Sequence, residues 1–170
     1  MIRNSRETAT IRSIEVGLFF APSGRRPEAF GADSGGDDMP TTTPLTVLVI
    51  EDEALIRWAL VETLSEAGHA VIEAPDGAGG LRAVMTATQA FDLIFLDFRL
   101  PDSNDFTLLT SIRSSAPRSA VVLMTAFATP EMADDVYRLG VYRLLHKPFD
   151  ILDVHPILSA VAASRKPGAD

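Results

Sequence analysis

The feature that most constrains the fold is a unit repeated from Leu45 onward, in which a short apolar run precedes a segment with helical periodicity. Parallel strands need a crossover of a dozen or more residues between them, and that crossover is usually a helix. The unit occurs five times. We therefore predict one parallel sheet of five strands, flanked by helices.

The apolar runs give the positions of the strands. The third run is almost continuously apolar, which indicates a strand that is buried on both faces at the centre of the sheet. We predict strands over residues 45–50, 69–73, 91–96, 120–124 and 141–146.

Glycine and proline mark the ends of the helices between these strands. The first helix is predicted over 54–67, with Gly68 as a left-handed C-cap. The third is predicted over 105–115 and is broken by Pro117. The side chains expected to face the core are Leu81, Val84 and Met85 in the second helix and Leu108, Leu109 and Ile112 in the third.

Capping residues place the starts of the other helices. Asp76 is suited to cap the second helix, and Thr129 followed by Pro130 is a strong start for the fourth. Asp150 is suited to cap the fifth helix. Because Pro156 lacks the amide that an interior helical position needs, the fifth helix is predicted to kink or to start late.

The chain before the first strand has a different composition. Residues 22–44 are rich in glycine and proline and cannot bury enough apolar surface to offset the entropy lost on ordering. We therefore predict an extension over 1–43, a folded domain over 44–165 and a short tail over 166–170. Met39 offers a second start, so the residues before it are alternatively not part of the native product.

Composition excludes several classes of protein. The 170 residues carry a net charge of −8, and binding to a phosphate backbone needs clustered Lys and Arg, so direct DNA binding is not expected. The chain has no cysteine, which excludes disulfides and thiolate chemistry and fits a cytoplasmic location. No apolar segment approaches the roughly 20 residues that span a bilayer, so no membrane association is expected.

Four of the five strands end in a chemically distinctive polar residue. Glu51 and Asp52 follow the first strand, Asp97 closes the third, Thr125 closes the fourth, and Lys147 follows the fifth. The carboxyl ends of parallel strands share one edge of a sheet. These side chains are therefore predicted to converge on one crevice that holds three carboxylates, a hydroxyl and an ammonium group.

Oxygen ligands in this crevice suit a magnesium ion. Mg²⁺ is usually held by one or two carboxylates together with phosphate oxygens and waters. Asp52 and Asp97 are the predicted carboxylate ligands. Glu51 is predicted to hold a metal-bound water, and the backbone carbonyl of Arg99 is a further predicted ligand.

Two donors would meet a phosphoryl group in the same crevice. The Lys147 ammonium and the Thr125 hydroxyl are both predicted to contact phosphoryl oxygens. Each residue also has an ordinary interpretation, such as an acid at a helix N-terminus or a solvated loop lysine. All of these would have to coincide at one sheet edge, so an aspartyl-phosphate site is the favoured interpretation.

Four segments carry a resemblance to a known family: Val47–Glu53, Asp92–Pro101, Leu123–Ala126 and His146–Asp150. With these segments in this order, residues 45–163 resemble the receiver domain of bacterial response regulators, and are similar to the receivers of nitrogen-regulation-type activators. The resemblance implies a flavodoxin-like (βα)5 three-layer sandwich with strand order 2-1-3-4-5. The implied site residues are Asp97 as phospho-acceptor, Glu51 and Asp52 as the acidic metal pair, Thr125 as switch hydroxyl and Lys147 as the phosphoryl-contacting lysine.

The chain departs from the family pattern at three positions. Leu144 stands where family members usually place an aromatic residue, three positions before the lysine. Asp105 stands where a glycine generally follows the third strand, and Pro156 lies in the last helix. These departures bear more on signal output, in which phosphorylation is predicted to draw in Thr125 and shift the segment near 126–139, than on phosphorylation itself.

The resemblance also implies partners. The expected phosphodonor is a histidine kinase or a histidine phosphotransfer domain, with Mg²⁺ as cofactor. The segment from Ser164 to Asp170 is too short for an output domain, so we expect a stand-alone receiver that signals to an unidentified downstream protein. Apolar residues on more than one face of the first helix, including Trp58, indicate either a surface for the kinase or an ordinary rim of the core.

Two other functions stay open. The chain is expected to catalyse only its own phosphotransfer and dephosphorylation, but an aspartyl-nucleophile phosphatase is an alternative. Such an enzyme would need an acid two residues beyond the nucleophile as proton donor, and Arg99 stands there. The second alternative is a receiver-like interaction module that is never phosphorylated, which Leu144 and Asp105 favour.

Overall fold

The computed structural model describes residues 43–165, which form five parallel strands alternating with five helices. The strands are β1 (Thr46–Ile50), β2 (Ala70–Ala74), β3 (Leu93–Asp97), β4 (Ala120–Thr125) and β5 (Arg143–His146). The helices are α1 (Ala54–Glu66), α2 (Gly77–Thr86), α3 (Thr107–Ser115), α4 (Pro130–Arg138) and α5 (Val154–Ser164), and a 3-10 turn over Ile151–Asp153 precedes α5. Apart from residue 43, the predicted extension over 1–43 and the predicted tail over 166–170 lie outside the described residues.

The sheet has the order β2-β1-β3-β4-β5, and every neighbouring pair is parallel. This confirms the predicted flavodoxin-like fold. β3 lies at the centre and all of its residues are buried, as its apolarity predicts. The strand order reverses between β1 and β3, and such a reversal opens a crevice beyond the carboxyl ends of the strands.

The sheet separates two apolar cores, because alternate side chains of a strand point to opposite faces. In β1, Val47 and Val49 pack with the buried faces of α1 and α5. Leu48 and Ile50 pack on the other side, with α2, α3 and α4. Each fully buried aliphatic side chain contributes about 1.5–3 kcal/mol of transfer free energy, so the two cores hold the edge of β1 firmly in place.

Side-chain caps begin two helices at the predicted residues. Asp76 accepts a hydrogen bond from the amide of Gly79 at 2.6 Å at the start of α2. Thr129 accepts one from the amide of Met132 at 3.2 Å at the start of α4. These caps satisfy amides that have no partner inside the helix.

The helix ends also follow the predicted glycines and proline. Gly68 and Gly140 have φ angles of +84° and +83°, in the left-handed region that only glycine adopts freely. Asp150 caps the 3-10 turn rather than α5 itself. Because α5 starts at Val154, Pro156 lies in its first turn, where an amide would have no helical partner anyway, which confirms the predicted late start.

One predicted core residue is wrong. Met85 is 71% exposed, whereas Leu81 and Val84 pack against the second core as predicted. The buried stripe of α2 runs through Gly77, Gly80 and these two residues. At 3.6 residues per turn, Met85 lies about 90° from the centre of that stripe.

The ladder also begins later than predicted in four strands. β1, β2, β3 and β5 start at Thr46, Ala70, Leu93 and Arg143. Phe91 and Val141 precede the first paired residues of β3 and β5 but are still buried. Their apolar character therefore made these two strands look longer in the sequence than they are. Within residues 43–165, no helix has the length and apolarity to cross a membrane.

Candidate functional site

The side chains of Lys147, Asp97 and Glu51 meet at the carboxyl edge of the sheet. The Lys147 amine donates hydrogen bonds to Asp97 Oδ2 at 2.6 Å and to Glu51 Oε1 at 2.8 Å. It also lies 3.6 Å from Glu53 Oε1. One ammonium group is therefore shared by three carboxylates that come from two strand ends.

Strand register explains this convergence. Ile50 of β1 pairs with Leu96 of β3, so the residues that follow them, Glu51 and Asp97, lie side by side. The Lys147 amide donates to the Thr125 carbonyl at 2.8 Å, which fixes the lysine backbone at the end of β4. The lysine side chain then spans one strand to reach Asp97.

Burial makes the electrostatics of this site strong. Burial raises the pKa of Glu51 from 4.5 to about 7, while the hydrogen bond from Lys147 opposes the rise and the charge of Asp97 adds to it. Burial lowers the pKa of Lys147, but its hydrogen bonds to Asp97 and Glu51 outweigh this, so its pKa is raised above 10.5. The amine is thus a cation, and its charge faces the two buried acids.

The oxygen atoms of this site suit a divalent cation. Oxygens of Glu51, Glu53 and Asp97 all lie within 4.8 Å of one another. Glu51 Oε2 is buried and has no hydrogen-bond donor among the described residues, although the Lys147 amine lies 2.8 Å from it as an ion pair. Closely spaced carboxylate oxygens are the ligands that Mg²⁺ prefers, so the residues fit that ion.

Two members of the acidic run differ from the sequence prediction in their placement. Asp52 is exposed, and its carboxylate is not one of the three that cluster. Glu53, which sequence analysis missed, is the third member of the cluster, and its side chain makes no capping hydrogen bond at the start of α1. Its position as the third consecutive acid after β1 was the available signal.

Thr125 lies at the end of β4 and is buried. Its hydroxyl donates to the Phe127 carbonyl at 3.2 Å and accepts from the Phe127 amide at 3.1 Å. The hydroxyl is therefore engaged with the β4–α4 loop, and its two hydrogen bonds fix that loop in one conformation.

Arg99 lies in the loop after β3. Its amide donates to Asp97 Oδ1 at 2.9 Å, which holds the backbone of this loop against the carboxylate. Its guanidinium group stacks over the ring of Phe127, 5.0 Å from the ring centroid. Phe127, which sequence analysis did not single out, lies in the β4–α4 loop and links it to the loop after β3 through this contact with Arg99.

The departures from the family pattern have clear places in the structure. Leu144 is partly buried and packs against the second core. Asp105 accepts a hydrogen bond from the amide of Thr107 at 2.8 Å, at the start of α3. Pro156 lies in the first turn of α5.

An apolar groove of about 520 Å³ adjoins the Lys147 side chain. Beside it, Leu55 and Trp58 of α1 are 82% and 62% exposed, so Trp58 does not cover the core. The apolar groups that line the groove come from Leu55, Ile56, Ala59, Pro148, Phe149 and Ile151.

Comparison with known proteins identifies the family. The model of the response regulator receiver domain family matches residues 47–159. The DNA-binding transcriptional regulator NtrC of Escherichia coli K12 is 34% identical over 105 residues, which are 62% of this chain and 22% of NtrC. The transcriptional regulatory protein PdtaR of Mycobacterium tuberculosis is 33% identical over 131 residues, which are 75% of this chain and 61% of PdtaR. This chain thus spans only part of the length of these relatives.

A solved structure supports the same assignment. The chemotaxis protein CheY4 of Vibrio cholerae superposes with a TM-score of 0.63 at 27% identity, covering 70% of this chain and 99% of CheY4. This likeness supports the fold described above. This chain belongs to the response regulator receiver domain family, whose members are signalling modules of two-component systems rather than classical enzymes.

Proposed function

We propose that this protein accepts a phosphoryl group on Asp97, with Mg²⁺, from a histidine kinase or a histidine phosphotransfer domain. The supporting observation is the Lys147 amine, 2.6 Å from the Asp97 carboxylate and bordered by two further acids. Phosphoryl transfer needs an aligned nucleophile and positive charge for the phosphoryl oxygens, and little else from a protein. Asp97 and Lys147 supply both.

In the proposed reaction, an Asp97 oxygen attacks the phosphorus of a phosphohistidine. The new P–O bond forms as the P–N bond breaks, and the imidazole leaves with that electron pair and takes up a proton. Lys147 exchanges its hydrogen bond to Asp97 for one to a phosphoryl oxygen. Because Glu51 also holds the amine at 2.8 Å, the lysine keeps its position during this exchange.

The acids beside Asp97 are the proposed metal site. Asp97, Asp52 and the backbone carbonyl of Arg99 would hold the ion, and Glu51 would bind through water. Glu53, whose carboxylate clusters with those of Glu51 and Asp97, adds negative charge to this site. Bound Mg²⁺ supplies positive charge that offsets repulsion between the carboxylate and the incoming phosphoryl oxygens. Slow attack of water on the phosphorus would later release phosphate and restore the Asp97 carboxylate.

The proposed signal passes through Thr125. Its single hydroxyl proton now goes to the Phe127 carbonyl, so a hydrogen bond to a phosphoryl oxygen requires that this bond be given up. The β4–α4 loop then loses one of the two bonds that fix it, and the population shifts toward a second conformation of the segment near 126–139. The proposed output is contact with a downstream protein.

The groove beside Lys147 is the proposed docking surface for the phosphodonor. Leu55 lines this groove and Trp58 exposes apolar area on the same helix, so a helix of the donor can pack there and bring its phosphohistidine toward Asp97. A histidine kinase takes its phosphoryl group from ATP, so the proposed exchange takes place in the cytoplasm. The proposed functional domain spans 44–165.

Intact-mass measurement tests the phosphorylation. The wild-type protein, incubated with phosphoramidate and Mg²⁺, should gain one phosphoryl group, and the gain should vanish with EDTA or in Asp97→Asn. Asp134→Asn, which removes an exposed carboxylate of α4, is the matched control and should gain the group normally. An unmodified wild type, or equal modification of Asp97→Asn, contradicts the proposal, and the former favours an interaction module that is never phosphorylated.

A further inference from the structure

We propose that Arg57 is a positioning residue for the metal site, which it serves by anchoring the backbone of the loop between β1 and α1. The inference rests on the proposed Mg²⁺-dependent function. Arg57 Nη1 donates to the carbonyl of Glu51 at 2.7 Å and to the carbonyl of Asp52 at 3.2 Å. These are the two acids that follow β1, and the arginine contacts their main chain rather than their carboxylates.

The anchored carbonyls lie in a segment that belongs to no regular element. β1 ends at Ile50 and α1 begins at Ala54. The Glu51 amide still donates to the Ala74 carbonyl of β2 at 3.1 Å, but Arg57 is the donor that the structure describes for the carbonyls of Glu51 and Asp52. Arg57 sits one turn into α1, where its own amide bonds to the Glu53 carbonyl. Its side chain folds back over the loop and is only 19% exposed.

A second contact orients the guanidinium group. Arg57 Nε lies 3.1 Å from Glu73 Oε2, on the adjacent strand β2. Glu73 is 56% exposed, so this ion pair adds little stability by itself. Its role is to orient the planar guanidinium group. The Glu73 carboxylate bonds to Nε, and Nη1 then points toward the two carbonyls.

This anchoring matters because Mg²⁺ requires near-octahedral ligand geometry. The side chains of Glu51 and Asp52 can meet that geometry only if their backbone is held in place. Groups that orient metal ligands without touching the metal typically change metal affinity by about 10–100-fold when removed. Lysine is a poor substitute, because one ammonium group cannot bond both carbonyls and also reach Glu73 in a fixed plane.

The sign of the effect separates anchoring from charge. Loss of the Arg57 positive charge would by itself strengthen binding of a cation nearby, because like charges repel. Loss of the anchor would weaken binding. A weaker affinity in Arg57→Ala therefore reports positioning.

Calorimetric titration with Mg²⁺ is the first measurement. Arg57→Ala should bind about 10-fold more weakly than the wild type, and Arg57→Lys, which keeps the charge, should fall between them. Arg138→Ala is the matched control, since it removes an exposed arginine that pairs with Asp135 on α4 at 2.8 Å. At saturating Mg²⁺, the final extent of phosphorylation in Arg57→Ala should approach that of the wild type.

Amide hydrogen exchange without metal is the second measurement. The Glu53 amide donates to Glu51 Oε1 at 3.3 Å, inside the anchored loop, and its exchange should accelerate in both Arg57 variants but not in Arg138→Ala. If Arg57→Ala does not fold, Arg57→Lys carries both measurements.

The outcomes distinguish this inference from the proposed function. A wild type that binds no Mg²⁺ and gains no phosphoryl group contradicts the proposed function and, with it, a metal-positioning role. A wild type that binds Mg²⁺, together with unchanged affinity and unchanged Glu53 exchange in the Arg57 variants, overturns the anchoring alone.

Discussion

The Lys147 amine reaches Asp97 Oδ2 at 2.6 Å across the end of β4, although 50 residues separate the two in sequence. The lysine backbone is tied to β4 and the aspartate closes β3, so the side chain covers roughly one strand spacing of about 4.8 Å. The same amine also bonds to Glu51, which follows β1 and is fully buried, so residues from three strand ends meet around one positive charge. The stability and chemistry of this edge both depend on that cation.

Removing the cation should destabilise the protein in a pH-dependent way. Lys147→Met keeps most of the side-chain volume but leaves Glu51 and Asp97 buried without a counter-charge, at a cost of about 3 kcal/mol. The pKa of Glu51, already raised to about 7, should rise further, so the folded state takes up a proton more readily than the unfolded chain. Stability gained in this way is lost as pH rises through the folded pKa.

Urea unfolding in EDTA checks this expectation. The difference between wild type and Lys147→Met should be largest at about pH 8 and should shrink at about pH 5, where Glu51 is protonated. Arg143→Met, which removes an exposed cation of β5, should show little change at either pH. If Lys147→Met lowered the free energy of unfolding by the same amount at both pH values, the loss would come from packing and not from charge.

The loop after the acceptor strand caps a distant helix. Asp102 accepts hydrogen bonds from the amides of Gly77 and Ala78, both at 2.8 Å, at the start of α2. The hydrogen bond from Gly77 is the main cause of the lowered pKa of Asp102. We expect Asp102→Ala to lower the free energy of unfolding by about 1 kcal/mol. Because the folded pKa lies below 3.8, this contribution is present above that value and is lost as pH falls through the folded pKa.

Asp134→Ala is the control for this prediction, because Asp134 is exposed within α4. Thermal unfolding near neutral pH should show Asp102→Ala to be less stable than the wild type. The same measurement in acid should show no difference. A neutral effect of Asp102→Ala near pH 7 would show that Asp76 alone suffices to cap α2.

These contacts show how far sequence reasoning reaches. The apolar runs and their terminal residues predicted a parallel sheet with Asp97 and Lys147 at one edge, because parallel strands follow from βα alternation. The strand order was implied by the family resemblance and not by the runs. Asp76 was found as a cap because its partner lies three residues away. Asp102 was missed because its partner helix begins 25 residues earlier. The contacts of Arg57 with two loop carbonyls belong to no capping pattern, so nothing in the sequence indicates them.

The assigned roles of the site residues stay predictions. Strand-end position indicated Asp97, Lys147 and Thr125, and the structure describes where their polar atoms go. The carboxylate of Glu53, and not that of Asp52, clusters with Glu51 and Asp97. The directions of these two side chains depend on where α1 begins, and a helix start can be predicted only to within a residue or two. Their relative contribution to metal binding requires measurement.

A buried histidine should make the protein less stable in mild acid. His69 is buried, and its Nδ1 accepts a hydrogen bond from the amide of Leu45 at 3.1 Å, a bond that protonation of that nitrogen would break. Burial, together with the charge of His155, lowers the pKa of His69 below 6.5. The unfolded chain therefore binds a proton first, and stability present above pH 6.5 is lost as pH falls through the folded pKa.

His69→Gln isolates this effect, since the amide oxygen can accept the same hydrogen bond but does not titrate. In denaturant unfolding, the free energy of unfolding should vary with pH in the same way for wild type and variant above pH 7. Near pH 5 the variant should be the more stable of the two. Parallel curves throughout the acid range would exclude His69 as the source.

The packing of α2 on β1 gives the last prediction. A Cβ atom built on Gly80 would overlap Cδ1 of Ile50 and would lie 2.8 Å from its Cγ1, and Ile50 is fully buried. Alanine would gain about 1 kcal/mol of helix propensity at this position. The overlap costs about 1–3 kcal/mol, because neither the helix nor a close-packed isoleucine can move away freely. We therefore expect Gly80→Ala to be net destabilising by about 1 kcal/mol.

A double-mutant cycle with Ile50→Val attributes that cost to one contact. Valine lacks the Cδ1 atom, so it relieves the shorter overlap while losing about 1 kcal/mol of buried methyl contact on its own. The double variant should be more stable than the sum of the two single changes predicts, by at least about 0.5 kcal/mol. Urea unfolding of the four proteins measures the coupling, and additive free energies would place the strain of Gly80→Ala elsewhere. Since Ile50 directly precedes Glu51, a shift of β1 that absorbs the overlap should also weaken Mg²⁺ binding, which the same four proteins can report by calorimetry.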